Sequence, residues 1–175
     1  YLFLNFNYTN IDTYYSTNKG VDIQTIHIHG DLTDLEKNPI IFGYGDEMEE
    51  NYQTIENSNE NEYLENIKSI KYFETDSYKK LLGFINKGEY QVFLFGHSCG
   101  VSDRVLLKTL FEHKNCVSIK PFYRKIKEKD ENEKEIIKDN YSDIIRNISR
   151  HFNYKDVMRD KIVPKVYCEP LLDIN

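Results

Sequence analysis

Three short stretches hold the residue types from which a reactive site could be assembled: NFNYTN at residues 5–10, IHIHG at residues 26–30 and FGHSCGVSD at residues 95–103. Imidazole exchanges a proton near neutral pH, so His29, at a strand end beside Gly30, is a candidate acid/base or ribose contact, with a satisfied structural histidine as the competing reading. His27, on the same side of the strand, reads as structural. Two histidines two residues apart could share a metal, yet no third ligand stands at a fixed spacing, and no metal is expected. Asn7 lies between two aromatics and gains a ligand-facing role from the company of the other two stretches. Asn10 reads as a turn or cap residue. In the third stretch, two glycines, two serines and an aspartate precede a helical pattern. A glycine turn opening a helix presents unpaired backbone N–H groups that suit phosphate oxygens.

The elements that must position these residues are strands and covering helices. Leu2–Phe6 and QTIHIH are short apolar or alternating runs. VFLF at 92–95, ended by Gly96, reads as a strand buried on both faces, and CVSIKPF reads as another. Residues 2–6, 24–29, 91–95 and 116–122 are therefore expected as strands of one sheet, and Ile40–Phe42 as a further short one. Residues 63–86 are helical in character with an interruption at Thr75–Ser77. Residues 102–113 form a helix with Val105, Leu106, Leu107, Leu110 and Phe111 toward the sheet, and Ile144, Ile145, Ile148 and Phe152 mark a later amphipathic one. Residues 46–62 read as a mobile, solvated acidic loop, with Asp46 and Glu47 on its surface. Residues 124–138 read as an exposed charged helix or hairpin tip. The order of elements favours one α/β domain over residues 1–175, a largely parallel sheet flanked by helices.

Composition narrows the partners. A net charge of -6 without a basic block excludes long duplex contacts, and the abundance of tyrosine comes without basic interleaving of the kind that reads single strands. The three cysteines are far apart and lack zinc spacing, which fits a reduced, cytoplasmic protein. No run has membrane-spanning length. The chain starts with Tyr1 inside a strand-like run, so a segment N-terminal to it is expected, and with it a requirement of that segment for folding.

Taken in order, NFNYTN, IHIHG and FGHSCGVSD resemble the phage abortive-infection family AbiH, within the wider group of sirtuin-like nucleotide-binding domains. The resemblance runs from Leu2 to about Tyr123. It implies a Rossmann-like sheet, incomplete at the N-terminus, that binds NAD as ligand or substrate and could hydrolyse it. By resemblance Asn7 and His29 are catalytic: Asn7 positions ribose or an attacking water and His29 accepts a proton. Thr9, Gly30, Gly96, His97, Ser98, Gly100 and Asp103 are the dinucleotide contacts, gathered with Asn7 and His29 at the C-terminal ends of the strands. Thr9 stands where many relatives carry an acidic residue, so a strand-end carboxylate is missing. The partners implied are an adenine dinucleotide and a phage component or a second copy. Two other readings compete: a nucleotide-sensing or interaction domain without turnover, and a serine hydrolase in which GHSCG supplies the nucleophile Ser98, with Asp143 and His151 as acid and base.

Overall fold

Apolar residues at alternate positions of LFLN and QTIH favour extended chain, and the two segments pair as parallel strands. The computed structural model describes residues 1–14, 20, 22–131 and 133–172. It divides into two compact units, Tyr1–Lys87 and Gly88–Asn175, each mixed α/β.

In the first unit β1 (Leu2–Asn5) and β2 (Gln24–His27) are parallel, in a register that sets Asn5 beside His27. Parallel partners end at the same edge, so whatever follows Asn5 and whatever follows His27 emerge together. The chain past β2 is held on both sides. Ile28 N–H donates to the Asn5 carbonyl and Ile41 N–H donates to that of His29. Gly30 has φ +98°, and a Cβ there would lie 2.3 Å from the Pro39 carbonyl oxygen. This glycine is therefore required by the chain's own packing.

Residues 40–42, expected as a strand, form none. Phe42 is 82% exposed, and pairing shifts to an isolated parallel bridge between Tyr44 and Ile67. That bridge fixes the start of the following helices: α1 (Tyr52–Asn57) precedes it, and α2 (Lys68–Lys71), a 3-10 turn (Tyr72–Glu74) and α3 (Ser77–Ile85) follow. The break between α2 and α3 falls where the sequence placed it. The acidic stretch from 46 contains α1 and a second 3-10 turn (Asn61–Tyr63). Asp46, read as surface, is buried at 4% exposure and accepts the Met48 N–H. Ile26, Ile28, Ile41, Ile67, Tyr72, Leu81 and Ile85 make the core of this unit.

In the second unit β3 (Tyr90–Phe95) pairs in parallel with β4 (Cys116–Phe122), connected through a 3-10 turn (Val101–Asp103) and α4 (Arg104–Glu112). β5 (Lys125–Lys129) and β6 (Glu135–Asp139) form an antiparallel hairpin, so the charged excursion is the hairpin of the two forms anticipated. α5 (Tyr141–Ser149) and α6 (Lys155–Lys161) close the unit. Leu106, Leu107 and Phe111 of α4 are fully buried, and Phe111 stacks on Phe152 with ring centroids 6.2 Å apart. The expectation of two-sided burial for β3 is corrected: Val92 and Leu94 are buried, while Phe93 and Phe95 are 49% and 52% exposed. Hydrophobic type does not tell which face of a strand is covered. The four expected strands all form, as two parallel pairs rather than one recorded sheet. Among the described residues no helix is long and apolar enough to cross a membrane.

A buried lysine finishes α4. Lys161 Nζ donates to the carbonyls of Phe111 and His113, both at 2.9 Å, where the helix leaves its last carbonyls without backbone partners. Lys161→Met keeps the apolar stem and removes both charged hydrogen bonds. It should lower unfolding free energy by about 1–3 kcal/mol in urea titrations, because buried carbonyls then lose their donor.

Candidate functional site

The strand ends of the first unit are organised by Asn5, a residue the sequence reading passed over. It is 6% exposed. Its Oδ1 accepts the Asn7 N–H at 2.9 Å, and its Nδ2 donates to the Thr9 carbonyl at 2.9 Å and to Asp12 Oδ1 at 3.4 Å. One side chain thus folds the loop that carries Asn7 and Thr9, both of which are exposed. The signal available was an amide at the last position of an apolar strand, since a buried amide must be bonded locally.

Two carboxylates lie beside β2. Asp12 Oδ2 accepts the Thr25 hydroxyl at 3.0 Å, and its Oδ1 lies 3.4 Å from His27 Nε2; Asp31 Oδ2 lies 4.0 Å from the same nitrogen. Carboxylates therefore stand at the ends of both strands. Asp12 is distant from the strand in sequence and returns to it through the 3-10 turn at Ile11–Tyr14, so no local pattern announced it. Asp31 has its pKa lowered, chiefly by the hydrogen bond it accepts from the Thr33 backbone. His27 Nδ1 is buried and without a hydrogen-bond partner.

His29 is placed differently. It is 6% exposed. Nδ1 lies 3.2 Å from the Phe6 carbonyl, which can only accept, so Nδ1 carries the proton. Nε2 lies 3.3 Å from the Tyr72 hydroxyl and accepts its O–H. The edge of Phe6 meets the His29 ring at a centroid distance of 5.4 Å. His27 and His29 alternate onto one side of the strand yet differ in surroundings: one faces carboxylates, the other a carbonyl and a phenol. Among the described residues no group of three or more His, Cys, Asp or Glu could hold a metal ion.

In the second unit the Gly96–Asp103 turn is tightly internal. Gly96 has φ +70° and Cys99 has φ +54°, both left-handed. The Cys99 N–H donates to His97 Nδ1 at 3.0 Å, and His97 Nε2 faces Asp103 Oδ2 at 3.5 Å. Asp103 is 7% exposed and also receives the Ser102 hydroxyl. Gly100 has room for a Cβ, whose nearest neighbour would be Ser98 Oγ at 3.6 Å. Ser98 and Gly96 are exposed, His97 and Gly100 half-buried. Burial, and then Asp103, push the Cys99 thiol up to about 12, so it is no nucleophile at neutral pH.

The hydrolase geometry is not assembled. His151 Nε2 donates to the Cys99 carbonyl at 2.8 Å, Asp143 pairs with Arg146, and neither hydrogen-bonds the Ser98 hydroxyl. The left-handed non-glycine residue of the turn is Cys99, where a nucleophile elbow would strain the serine. Asn147 Nδ2 holds the Ser98 carbonyl at 2.7 Å, which secures the turn to α5.

These features define a mixed α/β protein with two parallel strand pairs, each ending in a histidine-bearing polar turn. Residues 1–125 match the family model described as Bacteriophage abortive infection AbiH, and the chain belongs to that family. Searches of curated proteins and of solved structures return no significant match.

His151 makes the turn pH-sensitive. Burial lowers its pKa most, helped by His97 and Arg104, while the Cys99 carbonyl and Asp103 act the other way. The unfolded chain takes up this proton near pH 6.5, the folded chain only at lower pH, so the stability is fully present above about 6.5 and lost as pH falls. Thermal melting should drop between about pH 7.5 and about pH 5.5. His151→Gln should flatten the fall, and an unchanged slope would place the titration elsewhere.

Proposed function

We propose that this AbiH-family chain is a cytoplasmic antiphage protein whose sirtuin-like, Rossmann-type site binds NAD and hydrolyses its nicotinamide–ribose bond. The observation that carries the reading is His29. It is an imidazole with a defined tautomer, buried at the C-terminal end of a parallel strand, beside the Asn5-braced loop that presents Asn7 and Thr9. Ligands of open α/β sheets sit at that end of the strands. The residues present fit the chemistry of a dinucleotide. Exposed Asn7 and Thr9 offer an amide and a hydroxyl to ribose. At Gly30 the direction a Cβ would take is filled by the Pro39–Ile40 backbone of the chain itself.

Nicotinamide is a good leaving group, so cleavage is dissociative and the protein contributes mainly positioning and electrostatics. Asn7 orients the ribose or the attacking water, and His29 takes the proton the water gives up. A phage component or a second copy of the chain would act as the trigger.

The second reading, a nucleotide sensor without turnover, is favoured by one specific feature. Both ring nitrogens of His29 already have partners within the chain, as those of a structural histidine do.

Nicotinamide release by the purified full chain, with and without phage components, separates the two. His29→Ala should lower turnover by ~10² or more with NAD binding retained. Binding without release in any condition would establish the sensor. Absence of binding would remove the nucleotide reading altogether.

A further inference from the structure

The hydroxyl of Tyr72 meets His29. Once Nδ1–H is committed to the Phe6 carbonyl, Nε2 is the nitrogen that can take a proton, and the Tyr72 hydroxyl stands 3.3 Å from it. Tyr72 is 6% exposed, as is His29. Its ring lies nearly parallel to that of His29, at 6.3 Å and 12°, and to that of Tyr78 beyond it, at 5.5 Å and 22°. The stack is anchored from both directions along the chain. Tyr72 follows α2, whose start is fixed by the Tyr44–Ile67 bridge, and Tyr78 belongs to α3. A phenol both donates and accepts, so a tyrosine can pass one proton on as it receives another.

We propose that Tyr72 is a catalytic residue that relays a proton from the attacking water to His29, an inference that rests on the NAD-cleaving reading above. The water oxygen bonds to the ribose carbon while the carbon–nitrogen bond to nicotinamide breaks, its electron pair leaving with the ring nitrogen. The water proton passes to the Tyr72 oxygen as the Tyr72 proton passes to His29 Nε2. The products are ADP-ribose, nicotinamide and an imidazolium, whose Nδ1–H stays on the Phe6 carbonyl and whose extra proton returns to solvent by the same route. Moving both protons together avoids a free phenolate in a buried position, where a charge would be poorly solvated. Only the tertiary contact shows the Tyr72 hydroxyl.

Tyr72→Phe keeps the stacked ring and deletes the hydroxyl, and thermal melting checks that the fold is kept. Nicotinamide release should fall ~10²-fold in kcat with little change in KM. In mixtures of light and heavy water, the rate of the unaltered chain should curve with deuterium fraction, as two moving protons require. A fluorotyrosine at position 72 keeps the shape and the hydrogen bond while making the phenol more acidic, and it should move the pH dependence of kcat. Full turnover in Tyr72→Phe together with loss in His29→Ala would overturn the relay and leave NAD cleavage standing. A linear isotope dependence, or a pH profile unmoved by fluorotyrosine, would reduce Tyr72 to a packing role. No release from the unaltered chain would remove the relay and the cleavage reading together.

Discussion

Parallel pairing is the constraint from which the candidate chemistry follows. Two parallel strands cannot be joined by a tight turn, so the chain must leave the sheet and return, and both strands then end at one edge. In the first unit that rule brings Asn5 and His27 into register and releases the Asn7–Thr9 and His29–Gly30 segments side by side. In the second it sends the chain from Phe95 through a glycine turn into α4 before β4 can form. Polar loops at these ends are forced to satisfy their own backbone, which explains why so many of their side chains are spent inward. Asn5, Asp12, His97 and Asp103 all hold loop or strand atoms of their own unit.

The two histidines of β2 and the segment after it show how a shared face does not impose a shared role. Period-two alternation directs both rings to the same side. One meets the Asp12 carboxylate through Nε2, and the other meets the Phe6 carbonyl through Nδ1 and a phenol through Nε2. A histidine whose remaining nitrogen faces nothing contributes packing and charge pairing. A histidine whose remaining nitrogen faces a hydroxyl is coupled to whatever that hydroxyl can reach. The distinction is made by Tyr72, far along the chain, and by the bridge between Tyr44 and Ile67 that precedes it.

Strand existence was legible in the sequence because apolar periodicity is local, and β1 to β4 fall where that pattern sets them. Strand coverage was not: VFLF is equally apolar at every position, yet only Val92 and Leu94 are buried. Electrostatic detail was the least legible. Asp46 sits in an acidic run that reads as solvated, and its burial follows from the close packing of residues 43–45 against 66–68. Asp12 looked like part of a polar connection, and its placement beside Thr25 and His27 depends on a chain reversal. The loop-forming role of Asn5 was in principle accessible, since an amide in a buried strand position demands partners close by.

The Gly96–Asp103 turn illustrates why motif shape and site chemistry come apart. A glycine turn before a helix offers backbone donors and the positive end of the helix dipole to an anion. Here the residue preceding the first turn of α4 is Asp103, buried and facing His97 and Ser102. Its carboxylate already offsets the dipole, and a phosphate at the same point would meet a like charge within the first turn. Ser98 and Ser102 lie on the exposed rim of the turn, whereas that carboxylate is buried. The left-handed Cys99 between them serves the same end. It turns its thiol into the interior and its carbonyl toward His151, so the turn stays closed on itself and Ser98 is left on the outside.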